Sequence, residues 1–163
     1  MKKALTVVCL AGVAGLLAAG TAVAAPPTIT HETVPTAYTL SGSETGCGFP
    51  IQVQGTDKVV IRESYDMAGN LTRVAVHDDF VGTESANGVT VGSSEHATIT
   101  DDAVTGTETW TGQPLKLSAP GGGTITLDAG KLVWNADGTV AVEHGPHPYL
   151  DGDVAAYCGA FGA

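Results

Sequence analysis

Turn-forming residues interrupt this chain about every 8–12 residues, and this spacing constrains the fold more than any other feature. The stretches between the turns are rich in Thr and Val, and Gly, Asn and Asp mark the turns themselves. Between positions 26 and 148 no stretch has the 3.6-residue periodicity of a helix. The sequence therefore predicts an all-β domain, with one short C-terminal helix that Asp153 caps.

Two turns of similar chemistry predict the register of two hairpins. In "YDMAGNL" and in "WNADGTV", Gly69 and Gly138 supply the left-handed residue of a three-residue loop. Because side chains alternate along a strand, the residues opposite one another then share a face. The predicted pairs are Tyr65 with Leu71, Glu63 with Arg73, Val59 with His77, Trp134 with Val140 and Leu132 with Val142.

Three further turns are predicted in the C-terminal half, at "TGQP", "APGGGT" and "DAGK". They divide this part of the chain into short hairpins whose apolar residues share one face. Agreement between the turns and the apolar pattern favours this register. The predicted apolar face comprises Trp110, Leu115, Leu117, Ile125, Leu127, Leu132, Trp134, Val140 and Val142.

The predicted architecture is an antiparallel meander of about eight to ten strands. Such a meander has to protect its edge strands, and closure into a single β-barrel does so most simply. The expected barrel is lipocalin-like or cyclase-barrel-like. A two-sheet β-sandwich is the alternative, although its crossings need longer connections than most of those in this sequence.

The first 24 residues have the pattern of a secretory signal peptide. Lys2 and Lys3 precede an apolar run, and "AVA" offers small residues at the cleavage spacing. A membrane anchor is the alternative, but glycines dilute the run. The predicted secreted protein is organised as a signal peptide over 1–24, a flexible N-terminal segment over 25–35 and a β-barrel domain over 36–163.

Cysteine usage predicts one disulfide bond. Removal of the signal peptide takes away Cys9 and leaves Cys47 and Cys158. In an oxidising compartment two remaining cysteines usually pair. The bond would close a loop of about 110 residues, worth roughly 4–5 kcal/mol against the unfolded chain. A catalytic cysteine is the alternative.

The charge of the chain argues against two classes of partner. Without residues 1–24 the chain has five Lys and Arg against 17 Asp and Glu, a formal charge of −12 with the five histidines neutral. Nucleic acids and anionic membranes both need clustered cationic side chains. We therefore expect no nucleic-acid partner, no membrane association after signal cleavage, and a soluble monomer.

The motifs predict neither a metal nor a cofactor. "HGPHP" contains His144 and His147, but a third ligand at suitable spacing is missing. The paired aspartates do not follow the alternating pattern of a calcium loop. The chain also has no nucleotide-binding glycine loop and no nucleophile elbow.

Several short motifs together resemble a group of small secreted actinobacterial proteins of unknown function. These motifs are "CGFPIQV", "GNLTRV", "DAGK", "HGPHP" and the terminal "YCG", and they span most of the chain after position 24. The resemblance implies secretion, an all-β domain and a link between Cys47 and Cys158. It implies no activity and no catalytic residue.

A polar set on the predicted inward face is the candidate site. Burying Glu63 and Arg73 as a pair costs less than burying the other face, where Arg62 would have no partner. The alternative is that the pair lies outside as an ordinary cross-strand ion pair, worth under about 1 kcal/mol. The predicted ligand-binding residues are Glu63, Tyr65, Arg73, His77, Glu108, Trp110 and Trp134.

Three functions remain open on this reasoning. The first is non-catalytic binding of a small molecule or an extracellular protein partner, since aromatic and charged side chains share the face. The second is a small barrel enzyme of isomerase or lyase type, with Glu63 or His77 as base and Arg73 binding an anion. The third is a structural or adhesive protein of the cell wall.

Overall fold

The computed structural model describes residues 26–162, and the predicted signal peptide over 1–24 lies outside them. Seven antiparallel strands form one sheet in the order of the sequence. The all-β meander and the short C-terminal helix are therefore confirmed. The elements are β1 Thr28–Leu40, α1 Gly42–Thr45, β2 Ile51–Tyr65, β3 Leu71–Ala86, β4 Val89–Asp102, β5 Thr107–Ser118, β6 Thr124–Trp134, β7 Val140–His144 and α2 Ala155–Gly159.

The sheet is not closed into a barrel. Strands β1 and β7 form its two edges, and β7 pairs with β6 through only Lys131–Trp134. The predicted flexible segment ended at position 35, but β1 already begins at Thr28 and pairs with β2 along its whole length. The strand-forming part of the chain therefore starts earlier than expected.

Over residues 26–162 the strand count is seven rather than the predicted eight to ten, because two predicted turns lie inside strands. "TGQP" is part of β5 and "DAGK" is part of β6. Their glycines, Gly112 and Gly130, face each other across the two strands with φ of 110° and 134°. A Cβ at Gly112 would collide with the carbonyl oxygen of His96, and one at Gly130 with that of His144. These glycines permit close backbone approach within the sheet.

Both predicted hairpin loops are present, but the register slips by one residue beyond each of them. Tyr65 faces Leu71 and Trp134 faces Val140, as predicted. The next pairs are Ser64 with Arg73 and Val133 with Val142, so one residue of the return strand has no partner in each hairpin. The predicted pairs of Glu63 with Arg73, Val59 with His77 and Leu132 with Val142 are therefore wrong. A one-residue bulge moves all later side chains to the other face.

The predicted apolar face is also wrong along the first half of β6. Leu117 lies opposite Thr126 rather than Ile125. Thr126 and Asp128 are buried there, whereas Ile125 and Leu127 are half-buried. A register shift beside Leu117, next to the "APGGGT" turn, exchanges the two faces of the strand.

The core lies at one end of the sheet, under the C-terminal segment. Its buried apolar residues are Ile51, Ala86, Val91, Leu117, Tyr157 and Phe161. Asp128 of β6 is fully buried and accepts hydrogen bonds from the backbone nitrogens of Tyr149 and Leu150, at 3.0 and 3.2 Å. These bonds fasten the segment before α2 to the sheet.

A disulfide bond joins Cys47 and Cys158, with a Cα–Cα distance of 5.3 Å, and the predicted pairing is confirmed. It connects the loop after α1 to α2, and both cysteines pack against the core. The sequence predicts Asp153 as the N-cap of α2, whereas the next residue, Val154, occupies that position. Asp153 still accepts a hydrogen bond from the backbone of Ala155, at 3.3 Å.

Candidate functional site

A cavity of about 240 Å³ lies on the face of the sheet that carries the core. Strands β1 to β5 and the C-terminal segment all contribute to its wall, so the sheet curves around it. No lysine, arginine or histidine is among the lining residues, all of which belong to the described chain. The ionisable and aromatic side chains of the wall are Tyr38, Asp57, Asp78, Phe80, Glu84, Glu95, Tyr149 and Tyr157.

Strand pairing brings the cavity residues together at the middle of the sheet. Asp57 of β2 lies opposite Phe80 of β3, and Phe80 lies opposite Glu95 of β4. The Phe80 ring covers two facing glycines, Gly55 and Gly82, where an added Cβ would collide with it. These glycines therefore make room for an aromatic side chain between the acidic ones.

The Glu84 carboxylate in the cavity wall is held in place by two hydrogen bonds. It is 4% exposed and accepts hydrogen bonds from Ser93 Oγ at 2.8 Å and from Tyr157 OH at 2.7 Å. Burial and the nearby Glu84 carboxylate raise the pKa of Tyr157, so its hydroxyl remains a donor. The pair links α2 to β3 beside the cavity.

Among residues 26–162 the other three carboxylates, Asp57, Asp78 and Glu95, form no ion pair with a cationic side chain. Burial raises the pKa of Glu95 to about 7, and the charges of Asp78 and Asp57 add to the effect. Burial, the side chain of Asp57 and the charge of Asp79 raise the pKa of Asp78 to about 7. One oxygen each of Asp57 and Asp78 is buried without a hydrogen-bond partner. Carboxylates packed in this way hold protons near neutral pH or attract a cation.

Tyr38 reaches the same carboxylates from the edge strand β1. Its pKa is raised by partial burial and then by Glu84, Glu95, Asp57 and Asp78, in that order. The side chain is nevertheless 51% exposed. Tyr38 therefore stands at the opening of the cavity, between its carboxylates and the solvent.

These pKa values predict that stability falls as the pH rises through neutrality. Asp78 and Glu95 have folded pKa values near 7, above those of the unfolded chain, so their stabilising contribution is complete only below about pH 4 and is lost through pH 7. Both side chains are partly exposed, and after discounting for solvent screening we expect a loss of about 1–3 kcal/mol between pH 5 and pH 8.5. Urea unfolding at several pH values measures this loss.

A double variant with Asp78→Asn and Glu95→Gln is the matched test. Neutral amides cannot titrate, so its unfolding free energy should vary less with pH and exceed that of the parent at pH 8.5. Glu143→Gln, at an exposed site on β7, should leave the profile unchanged. Equal pH profiles in parent and double variant would contradict the assignment.

Five of the seven predicted site residues lie on the cavity face, but near the other end of the sheet. Glu63 lies six residues from Asp57 along β2, about 20 Å away. The five residues form two groups, each with its own hydrogen bond. Tyr65 OH donates to Glu63 at 2.7 Å, whereas Trp110 Nε1 donates to Glu108 and packs edge-on against Trp134, with ring centroids 5.5 Å apart.

Arg73 and His77 lie on the opposite face of the sheet. The bulge beside the first hairpin places Arg73 opposite Ser64 and His77 opposite Val60. His77 Nδ1 lies 3.1 Å from the hydroxyl of Thr98. The interior site combining Glu63, Arg73 and His77 is therefore not formed, because the pairing on which it depended is wrong.

The same wrong pairing misplaces Asp78, one of the cavity carboxylates. The predicted pair of Val59 and His77 puts His77 on the inward face, and because side chains alternate along a strand the same register places Asp78 on the outer face. In β3, Val74, Val76 and Phe80 share a face with Asp78, and Phe80 is buried. The alternation of these apolar residues indicates the inner face of β3 correctly and places Asp78 on it, whereas the turn does not.

Within residues 26–162, no group of three or more His, Cys, Asp and Glu side chains is arranged to hold a metal ion. The same residues include no helix long and apolar enough to cross a membrane. A scan against protein-family models, a search of curated proteins and a search of solved structures each return no match.

Proposed function

We propose that this protein is a secreted, non-catalytic binding protein whose cavity takes a small organic cation. The observation that carries the proposal is the cavity lined by four carboxylates and no cationic side chain. Buried carboxylates are costly unless a proton or a positive charge compensates them. A protonated amine supplies that charge, together with N–H donors for the oxygens that lack partners.

The aromatic residues favour an organic cation over an inorganic one. Tyr38, Phe80 and Tyr149 line the same space. Aromatic rings attract cations through their negative faces and provide apolar contact for the rest of a ligand. The cavity volume of about 240 Å³ suits a small molecule with a single ring or a short chain.

The disulfide bond supports an extracellular location, because such bonds persist in oxidising compartments. The signal-peptide pattern in the sequence agrees with it. Closure of the sheet into a barrel is not needed for this function, since the curved sheet and the C-terminal segment already surround the cavity.

Calorimetric titration with tyramine, matched against its uncharged analogue tyrosol, tests the proposal. We expect tyramine to bind and tyrosol to bind at least about tenfold more weakly, since a charge-assisted hydrogen bond is worth roughly 1.5–3 kcal/mol. Glu95→Gln should reduce tyramine affinity by a similar factor and leave tyrosol binding unchanged. Affinity should also rise from pH 5.5 to pH 8, as Asp78 and Glu95 lose their protons.

Glu63→Gln is the control variant, because it removes a carboxylate from the same face but outside the cavity. It should bind tyramine as the parent does. Equal affinity for tyramine and tyrosol would contradict a cation site. Binding of neither, repeated with a set of aliphatic and aromatic amines, would overturn the proposal.

A further inference from the structure

The opposite face of the sheet carries a second, oppositely charged groove. It has a volume of about 310 Å³ and is lined by Arg62, Ser64, Arg73, Ala75, Thr98 and Thr100. Arg62 and Arg73 are the only arginines of the whole chain, which has 17 acidic residues. The side chains of both arginines therefore line a single groove, although the protein as a whole is strongly acidic.

Strand pairing explains why the two arginines are neighbours. Arg62 of β2 lies opposite Ala75 of β3, and Arg73 lies opposite Ser64, so the two side chains are diagonal neighbours on one face. Diagonal positions are within reach of long side chains, and two like charges there repel each other. The juxtaposition is therefore electrostatically unfavourable by itself.

Within the described chain, acidic side chains offset little of this repulsion. Over residues 26–162 neither guanidinium lies within 4.0 Å of a carboxylate, and the one ion pair found there joins His96 and Asp79. Asp102 lies across from Arg73 but accepts hydrogen bonds from the backbone nitrogens of its own turn, Val104 at 2.9 Å and Thr105 at 2.8 Å. These hydrogen bonds and, to a smaller extent, the charge of Arg73 lower the pKa of Asp102, so its attraction to Arg73 is weak.

The rest of the lining suits an oxyanion. Ser64 and Thr100 add hydroxyl donors on the strands that line the groove, whereas the Thr98 hydroxyl already contacts His77 Nδ1. Ala75 leaves space between the two arginines. Arginine presents a planar fork of N–H donors that matches the oxygens of phosphate and sulfate. No carboxylate is among the lining residues, all of which belong to the described chain.

We propose that this groove binds a phosphate or sulfate group, free or carried as an ester. A doubly charged oxyanion bridging Arg62 and Arg73 removes their repulsion and satisfies guanidinium donors that have no partner among residues 26–162. The site lies on the opposite face from the carboxylate cavity and does not depend on the function proposed for that cavity.

The test is an NMR titration of ¹⁵N-labelled protein with inorganic phosphate and with sodium sulfate, at ionic strength held constant with sodium chloride. We expect saturable shifts of both arginine side-chain N–H signals and of the Ala75, Thr98 and Thr100 amides. Arg62→Gln and Arg73→Gln should each weaken binding at least about tenfold, the loss of one charge-assisted contact. Lys131→Gln, at an exposed position of β6, should bind as the parent does.

Glu95→Gln should also bind phosphate normally, which separates this site from the carboxylate cavity. Saturation by phosphate alone, or by sulfate alone, supports the site and identifies which oxyanion it takes. Shifts that rise linearly for both anions, or that persist unchanged in Arg73→Gln, would overturn the proposal.

Discussion

A variant with both Cys47→Ala and Cys158→Ala should lose about 4–5 kcal/mol of unfolding free energy. The bond joins residues 111 positions apart, so its removal releases a long loop in the unfolded chain. It also frees the loop after α1 and helix α2, which both cover the core. Urea unfolding followed by tryptophan fluorescence measures the loss.

Chemical reduction of the parent protein is the matched control, and it should give the same unfolding free energy as the double variant. Met67→Ala, at a side chain that is 68% exposed, should change it by less than about 0.5 kcal/mol. A loss below about 1 kcal/mol in the double variant would contradict the contribution expected from closing this long loop.

Tyr157→Ala should cost about 3–5 kcal/mol, the usual range for truncating a buried aromatic side chain. Tyr157 is 2% exposed and packs against Phe161, with ring centroids 5.8 Å apart. Its hydroxyl also donates to Glu84, so the truncation leaves a buried carboxylate with one donor fewer. Denaturant unfolding of the purified variant measures the cost.

Tyr157→Phe separates the two contributions. It keeps the ring and removes only the hydroxyl, so we expect a loss of about 1–3 kcal/mol, less than for alanine. If Tyr157→Phe and Tyr157→Ala are equally unstable, the ring contributes nothing and the description of the core is wrong. If neither loses stability, α2 does not pack on the sheet.

The general architecture could be predicted from the sequence because its signals are local. Turn residues such as Gly69 and Gly138 have a conformational reason to be glycine, with φ of 84° and 81°, and both loops form where expected. The disulfide followed from the number of cysteines and the expected compartment. Neither inference required knowledge of how distant strands pair.

The sites could not be predicted because they depend on register. Thr72 and Ala141 are skipped in the strand pairing, and nothing in their chemistry distinguishes them from paired residues. In the sequence, Gly112 and Gly130 look like turn glycines. In the structure they lie inside the sheet, where they allow neighbouring backbones to approach closely. Each such shift exchanges the two faces of a strand. Arg73 was consequently predicted to lie inside, and Asp78 outside.

The most direct test of the cation site is the number of protons released when an amine binds. Burial raises the pKa values of Asp78 and Glu95 to about 7, so both carboxyl groups titrate near neutral pH. A bound ammonium group favours their ionised forms, so we expect release of up to about one proton per tyramine. Calorimetry in buffers of different ionisation enthalpy at pH 7 counts these protons. We expect the parent to release a fraction of a proton or more, and the variant carrying both Asp78→Asn and Glu95→Gln to release none. Tyramine binding to the parent without proton release would contradict the account.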